Sequence, residues 1–434
     1  METMPIKTAH VGRMNIHVFP TGTYKTNTIV LQLASPLKEE DASKRSVLAN
    51  VLKTSTKDYP TRQALQERLE DLYGMSLSAD VYKKGEWHII SIRAEIANEK
   101  YLRDTEPLTE TAVQLLASLL LQPNADESGF DAAVTADEKR ALKQKLASIY
   151  DDKMRYANKR LIEEMCGGEP FSVHAYGNET AIDNIDPASL YSCYREMLQN
   201  DQFDLYILGD VAEEECMRWV DHYFKDSDLL QGGHVKPPRP QLASSRNKPQ
   251  EITEQQEVQQ GKLHLGYRTG IVYGDSDYFA LQVFNGLFGG FPHSKLFINV
   301  REKASLAYYA ASRLETHKGL LIVMAGIAFE DENEAKSIIH AQLDAMRAGD
   351  FTEDDIAQTK AMLKNQLLEM TDSPRGRIEL EYYNALSQTD LTITEWLSAI
   401  DAVSFDEIKQ IGEKIQLDTV YFLRGKDGSA HESS

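Results

Sequence analysis

Cysteine is scarce in this sequence. Three cysteines, Cys166, Cys193 and Cys216, are widely spaced among 434 residues, and no C-x-x-C pair occurs. A zinc or redox site built from cysteine is therefore not expected. Each cysteine is predicted to be a small buried apolar side chain, and the low cysteine content favours a reduced, cytoplasmic compartment.

Long hydrophobic runs and an excess of basic residues are missing as well. No window holds about 18 consecutive apolar residues, so no helix is predicted to span a membrane. The N-terminus lacks a basic segment followed by an apolar core, so no secretory signal is predicted. The 47 basic and 67 acidic side chains give a net charge of −20, which argues against binding to nucleic acid or to an anionic membrane. Hydrophobic residues make up 42% of the chain, which is enough for a sizeable core.

A stretch rich in proline and glycine, residues 231–250, interrupts the helical and strand patterns. Proline fixes φ and removes a backbone donor, so this stretch is predicted to be a linker. It separates an N-terminal domain, residues 1–230, from a C-terminal domain, residues 251–434. Both halves open with strands, continue with helices and a strand hairpin, and end with helices and a late strand. In the first half, one long helical segment is predicted from Glu127 to about Met165.

This order of elements predicts the fold class. Helices and strands are mixed without strict alternation, which favours an α+β fold over a doubly wound one. We therefore predict two homologous domains. Each is expected to hold a mainly antiparallel sheet with helices packed on one face, and the two domains are expected to be related by pseudo-twofold symmetry.

The most specific pattern runs from Phe288 to Tyr309 and reads FGGFPHSKLFINVREKASLAYY. It resembles the second domain of insulinase-like peptidases, the group that includes mitochondrial processing peptidase. Those proteins typically carry L-G-G-x-x-x-S-R-L-F and then R-E-x-x-G-L-A-Y. The present sequence departs at Phe288, Lys295 and Ser305, where leucine, arginine and glycine are usual. The resemblance extends over essentially the whole chain.

The zinc motif of that family is absent. Active members carry H-x-x-E-H on a first-domain helix, where the two histidines share one face and bind zinc while the glutamate polarises a water. The matching helix places Arg45, Leu48 and Ala49 at those positions, and Lys145 stands where the downstream acidic pair normally falls. No two histidines of the chain lie within five residues of each other. The resemblance thus implies a degenerate metal site, with neither a metal nor a cofactor.

Other residues of the family pattern are retained. The resemblance assigns Arg301 and Tyr308 to the substrate carbonyl and the tetrahedral intermediate, for which a guanidinium and a phenol are suitable donors. It also relates Gly289 and Gly290 to the glycine-rich substrate loop of non-catalytic subunits. Structural alternatives stay open, since Arg301 can compensate a helix dipole and Tyr308 can pack on a sheet. The glycines can end a helix before a new one begins at Pro292.

The resemblance therefore implies an inactive insulinase-like subunit that is not an enzyme on its own. Such a chain is expected to bind a peptide or an unfolded polypeptide. It would pair with an H-x-x-E-H-bearing homologue as a heterodimer in a zinc metalloendopeptidase, or form a homodimer. One alternative is a scaffold or binding protein without a proteolytic role, which burial of Arg301 and Tyr308 in a packed core would favour. A third is an active zinc endopeptidase with an unrecognised site, which bound zinc would reveal.

Overall fold

The computed structural model describes residues 6–103, 106–225 and 242–426. Most of the predicted linker, residues 231–241, lies outside the described residues. Among the described residues, none of the helices combines the length and the apolar character that a membrane span requires. Residues 6–225 form, in order, β1 Lys7–Val11, β2 Met14–Pro20, β3 Thr26–Pro36, α1 Glu39–Leu52, α2 Arg62–Asp71, β4 Ser76–Lys84, β5 Trp87–Ala97, α3 Leu108–Leu121, β6 Ala125–Asp126, β7 Gly129–Phe130, α4 Ala132–Asp151, α5 Lys153–Met165, α6 Glu179–Asp183, α7 Pro187–Asn200, β8 Gln202–Gly209 and α8 Glu213–Phe224.

The second half continues the series. Two wider, π-type helical turns lie before the hairpin of this half, at Gly286–Gly290 and Phe297–Lys303. The regular elements are β9 Gln250–Gln256, β10 Gly261–Arg268, α9 Tyr278–Asn285, β11 Ala307–Glu315, β12 Leu320–Ile327, α10 Glu332–Ala348, α11 Glu353–Thr371, α12 Pro374–Ser387, α13 Ile393–Ala402, α14 Phe405–Lys414 and β13 Gln416–Gly425.

By their contacts, these elements group into two units. Unit 1 takes the described residues up to Ala147, those from Val173 to Lys225, and Pro374–Glu379. Unit 2 takes Ser148–Ser172 and the remaining described residues after Lys225. The segment Ser148–Ser172 thus groups with unit 2, although it falls within the predicted first domain. The domain boundaries at residues 230 and 251 stay a prediction.

The long helix expected from Glu127 to about Met165 is two helices, α4 and α5. Asp152 lies between them with a ψ of 95°, outside the helical region. Its carboxylate accepts hydrogen bonds from the backbone N–H groups of Met154 and Arg155, both at 3.1 Å. An aspartate in this position satisfies the free donors of a new helix start, so α5 begins afresh and departs from α4.

Each unit contains one mainly antiparallel sheet with the same strand order. The order is β1-β2-β8-β3-β5-β4 in unit 1 and β9-β13-β10-β12-β11 in unit 2. In each sheet one pair is parallel, β2 with β8 and β9 with β13, and the other neighbours are antiparallel. Apart from the additional edge strand β1, the two orders correspond strand by strand. The predicted α+β class with a duplicated sheet is confirmed.

Side-chain alternation separates the two faces of the unit 1 sheet. In β3, Ile29, Leu31 and Leu33 are fully buried and belong to the core formed with α1, α3 and α7. Because successive side chains of a strand point to opposite faces, Val30 and Gln32 lie on the other face. That second face carries many polar side chains.

The unit 2 sheet is covered on both faces. Its main core packs against α9, α10, α11, α13 and α14, and α5 lies on the opposite face. Gly266 of β10 permits this approach, since a Cβ there would lie 2.5 Å from the Met165 sulfur. Ile322 and Tyr421 complete the cluster beneath α5. The departure of α5 from α4 is therefore stabilised by apolar burial within unit 2.

Candidate functional site

The helix that corresponds to the zinc motif is α1, and its three matching positions are buried. Its first turn carries Glu39, Glu40 and Asp41, whose charges favour the positive end of the helix dipole. Leu48 and Ala49 are buried in the unit 1 core. Neither side chain has an atom that can bind a metal or accept a proton, so the base and second ligand positions are occupied by core residues.

Arg45, at the first ligand position, is the centre of a buried polar cluster. Its Nη1 lies 3.0 and 2.8 Å from the two carboxylate oxygens of Asp201. Its Nε donates to His88 Nδ1 at 2.9 Å, and its Nη2 donates to the Leu33 carbonyl at 3.1 Å. His88 Nε2 lies 2.8 Å from the Ala175 carbonyl oxygen. Because Nδ1 accepts a hydrogen bond from Arg45, Nε2 carries the ring proton and donates to that carbonyl.

The electrostatics of the cluster match this arrangement. Burial, assisted by the Arg45 charge, lowers the pKa of His88 to about 3, so the ring is neutral. Burial raises the pKa of Asp201 to about 6, although Arg45 opposes the rise. The Arg45 guanidinium thus donates a hydrogen bond to the neutral His88 ring and pairs with the Asp201 carboxylate. In the part of the chain that the structure describes, no group of three or more histidine, cysteine, aspartate or glutamate residues is arranged to hold a metal.

Lys145, at the position of the lost downstream ligand, lies on the exposed side of α4. Its Nζ is 4.4 Å from the centre of the Tyr176 ring, a cation–π distance. An ammonium group has no lone pair for zinc while it is charged and repels the ion. The positions Arg45, Leu48, Ala49 and Lys145 therefore supply an interior ion pair, two core side chains and a surface cation.

Arg301 is at the surface of unit 2. It lies in the wider helical turn Phe297–Lys303, with its guanidinium carbon 4.6 Å from the centre of the Phe297 ring. Its Nε is 3.6 Å from a carboxylate oxygen of Glu302, and its side chain is 41% exposed. The stacking on Phe297 orients the guanidinium and leaves donors accessible from solvent.

Tyr308 is among the most exposed large side chains of the chain, at 78%. β11 pairs Ala307 with Ile327 and Tyr309 with Gly326, so Tyr308 is the additional residue of a β-bulge. A bulge redirects a side chain relative to the regular pleat. Neither Arg301 nor Tyr308 is buried in a packed core, so the arrangement that would favour the scaffold alternative is not observed.

The departure from the family pattern at Ser305 has a conformational consequence. Ser305 adopts a φ of 55°, in the left-handed region that glycine enters without steric cost. A residue with a Cβ is destabilised there by about 1 kcal/mol. The backbone before β11 thus keeps the conformation that suits the usual glycine, although this chain carries serine.

Gly289 and Gly290 differ in their surroundings. Gly289 is buried, and a Cβ there would lie 2.5 Å from Ser312 Oγ and 2.7 Å from Leu296 Cδ1. Gly290 is exposed, and the nearest atoms to a Cβ there, on Asn285, would be 3.1 Å away. Neither glycine has a positive φ. Gly289 is therefore required for close packing, and a role for either residue in substrate binding stays a prediction.

Comparisons with known proteins identify the family. Residues 184–363 match the peptidase M16 inactive domain. The chain is 46% identical over 429 residues to the probable inactive metalloprotease YmfF of Bacillus subtilis (strain 168), which spans 98% of this chain and 99% of that protein. The chain belongs to the M16 peptidase family. The resemblance to insulinase-like peptidases is confirmed. Together with the buried Arg45, Leu48 and Ala49, these relatives show an inactive M16 peptidase homologue.

Two further comparisons extend the result. The antilisterial bacteriocin subtilosin biosynthesis protein AlbE of Bacillus subtilis (strain 168) is 27% identical over 283 residues, 65% of this chain and 69% of that protein. The crystal structure of a conserved protein from Enterococcus faecalis V583 is similar, with a TM-score of 0.89 and 37% identity. That comparison covers 99% of this chain and 100% of the solved one.

The sequence pattern did not identify His88 and Asp201. These residues are 43 and 156 positions from Arg45, so no local spacing connects them. One signal was available: a charged residue on a helix face otherwise made of Leu48, Ala49 and Leu52. A buried guanidinium requires a compensating charge, so Arg45 alone indicated that a buried acidic partner exists elsewhere in the chain.

Proposed function

We propose that this chain is the non-catalytic, substrate-binding or regulatory partner of a zinc-bearing M16 homologue in peptide processing. The observation that carries the proposal is a contrast. At the zinc-helix positions, Arg45 is held in a buried ion pair and Leu48 and Ala49 are in the core. The retained pair Arg301 and Tyr308 is exposed.

Arg301 and Tyr308 supply hydrogen-bond donors suited to a peptide carbonyl. A guanidinium offers several N–H donors, and a phenol offers one O–H donor. Tyr308 is presented by a bulge at the start of β11, and bulges occur frequently beside functional sites. In this proposal, the pair orients a substrate carbonyl while the partner's zinc supplies the hydrolytic chemistry.

Sheet edges offer a second means of holding an extended peptide. β4 is the last strand at one edge of the unit 1 sheet, so one side of its backbone can receive an added strand. Strand addition gives affinity through main-chain hydrogen bonds and does not depend on one side-chain sequence. This mode suits the peptide or unfolded polypeptide that we propose as ligand.

We further propose a heterodimer with the H-x-x-E-H-bearing homologue, located in the cytoplasm. The three cysteines are buried, and among the described residues no disulfide joins them, which is consistent with a reducing compartment. Sedimentation of the chain alone and with that homologue distinguishes a heterodimer from a homodimer, because only the mixture shifts in the first case.

The test is a reconstituted peptidase assay. The H-x-x-E-H homologue from the same cell is purified and assayed on a mixture of quenched fluorescent peptides, with and without this chain. We expect the chain to accelerate cleavage, and Arg301→Ala or Tyr308→Phe to reduce that effect. Arg218→Ala and Tyr101→Phe are matched controls, because both side chains are exposed and belong to unit 1. Equal cleavage with and without this chain would refute the proposal.

A further inference from the structure

The polar face of the unit 1 sheet carries a cavity of about 540 Å³. Its floor is formed by β3, β4 and β5, and its remaining wall is formed by the start of α12, which groups with unit 1. Cavities of this size are typical of sites for small ligands or short peptide segments. The zinc-helix positions on α1 are not among its lining residues.

The strand register places the floor residues in two rows. Arg93 of β5 lies opposite Val30 on one side and Ser78 on the other. Ser91 lies between Gln32 and Asp80 in the same way. Residues two apart on a strand share a face, so both rows point into the cavity. Ile92, between the rows, points to the opposite face and is buried in the core.

The wall of the cavity is held in place by two kinds of contact. Arg375, Ile378 and Glu379 have the spacing of one helical face. Ile378 is buried, and Lys84 Nζ lies 3.4 Å from Glu379 Oε1. The helix start therefore presents Arg375 to the floor from a fixed position.

Among the residues that the structure describes, no carboxylate lies at ion-pair distance from either of two arginines in this cavity, Arg93 and Arg375. Burial, and next the charge of Arg375, lower the pKa of Arg93, while the charges of Glu95, Asp80 and Glu379 oppose this effect. Within the described ranges, neither the Arg93 nor the Arg375 guanidinium makes a hydrogen bond, or an ion pair within 4.0 Å. A half-buried guanidinium facing a second one is destabilised, and an anion between the two would relieve that repulsion.

We propose that this cavity binds a peptide carboxylate between Arg93 and Arg375, with the hydroxyl groups of Ser78 and Ser91 as additional donors. The carboxylate is the C-terminus of the peptide or an aspartate or glutamate side chain. Guanidinium groups match a carboxylate with two parallel hydrogen bonds. Asp80 and Glu379 also line the cavity, and their charges disfavour a phosphate dianion or a polyanion. The inference rests on the proposed function only in taking a peptide as the ligand.

The experiment measures binding to the full chain alone, by fluorescence polarisation. Three labelled decapeptides share one sequence: one has a free C-terminus, one a C-terminal amide, and one the amide with an internal glutamine replaced by glutamate. We expect the plain amide to bind about 10-fold or more weakly than the free acid. If the glutamate peptide regains the affinity of the free acid, the site accepts side-chain carboxylates. If it does not, the site is specific for the C-terminal carboxylate. Acetate should compete better than inorganic phosphate.

Substitutions connect this preference to the cavity. Arg93→Gln and Arg375→Gln should each remove most of the difference in affinity between the free acid and the amide. Arg218→Gln on α8 makes the same charge change outside the cavity and should leave that difference unchanged. Because Arg375 is exposed, Arg375→Glu serves as a second variant that keeps the fold, and it should reverse the preference toward the amide. Equal affinity for all three peptides, no binding of any peptide, or an unchanged preference in Arg375→Glu would overturn the inference.

The carboxylate site and the partner role can fail independently, and the two experiments distinguish these outcomes. If peptides bind without regard to carboxylates, and Arg301→Ala still lowers the acceleration of the zinc-bearing homologue, only the carboxylate site is wrong. If the carboxylate preference depends on Arg93 and Arg375, yet the chain leaves cleavage unchanged, the site stands and the partner role is wrong.

Discussion

Replacing Arg45 with methionine should destabilise unit 1, and the loss should be larger at alkaline pH. Removing one member of a buried ion pair typically costs about 3–5 kcal/mol, because the remaining charge stays buried without compensation. In this chain that charge is on Asp201, whose side chain is 2% exposed. Methionine keeps much of the side-chain length, so the change tests the charge more than the packing.

The dependence on pH follows from two shifted pKa values. The pKa of Asp201 is about 6, above its ordinary 3.8, so its contribution to stability is greatest below pH 3.8 and is lost as the pH rises through 6. Without Arg45 that pKa rises further, and each pH unit above about 6 costs the variant up to about 1.4 kcal/mol more than wild type. The pKa of His88, about 3, also rises without Arg45, so the variant loses less stability in acid. Both effects make the difference in the free energy of unfolding between wild type and Arg45→Met smaller at low pH.

The assay is urea unfolding followed by tryptophan fluorescence at pH 5.5 and 8.5. The chain has three tryptophans, and a Trp396→Phe background leaves Trp87 and Trp219, both in unit 1. Arg218→Met is the control, since Arg218 is exposed, and adding Asp201→Asn to Arg45→Met should restore part of the stability. If Arg45→Met loses less than about 1 kcal/mol of unfolding free energy, or loses the same amount at both pH values, Asp201 is not a buried charge that depends on Arg45.

Three further predictions concern local features of unit 2. Ser305→Gly should raise the free energy of unfolding by about 1 kcal/mol, because the φ of 55° suits glycine, whereas Ser305→Ala should bring no gain in the same urea assay. Gly289→Ala should cost about 1–3 kcal/mol through its clash with Ser312, and Gly290→Ala should cost much less by the same measurement. His264 is fully buried, neither ring nitrogen has a hydrogen-bond partner among the described residues, and burial lowers its pKa to about 3. Its contribution to stability is therefore lost as the pH falls from 6.5 toward 3, by up to about 1.4 kcal/mol per pH unit. An acid titration of His264→Leu should show a shallower decline, and a slope equal to wild type would count against this assignment.

Much of the fold follows from local patterns. The starts of α11 and α14 are marked in the sequence itself, because each helix begins with a strong local signal. Thr352 with Asp355 and Ser404 with Glu407 form reciprocal capping boxes, which satisfy the free donors at a helix start. The duplication was visible for a similar reason, since both halves repeat a hairpin between helices.

Elements without an apolar pattern were missed. β9 reads QEITEQQ, and as an edge strand it needs few apolar residues, so its partners rather than its composition make it a strand. The break at Asp152 was also hidden, because helix-forming residues continue on both sides of it. In the site, the loss of the zinc motif is local and was predicted, while the contacts of Arg45 with His88 and Asp201 arise only when distant strands and helices meet.

In α1 of this M16 chain, a buried ion pair and core side chains occupy the positions of a catalytic zinc site. The most direct measurement is the zinc content per chain by elemental analysis, after exposure to zinc chloride and removal of free metal by dialysis. An H-x-x-E-H-bearing homologue treated in parallel should retain about one zinc per chain. We expect no stoichiometric zinc in the present chain. About one zinc per chain, lost on substitution of residues around Arg45, would show that these positions still form a metal site.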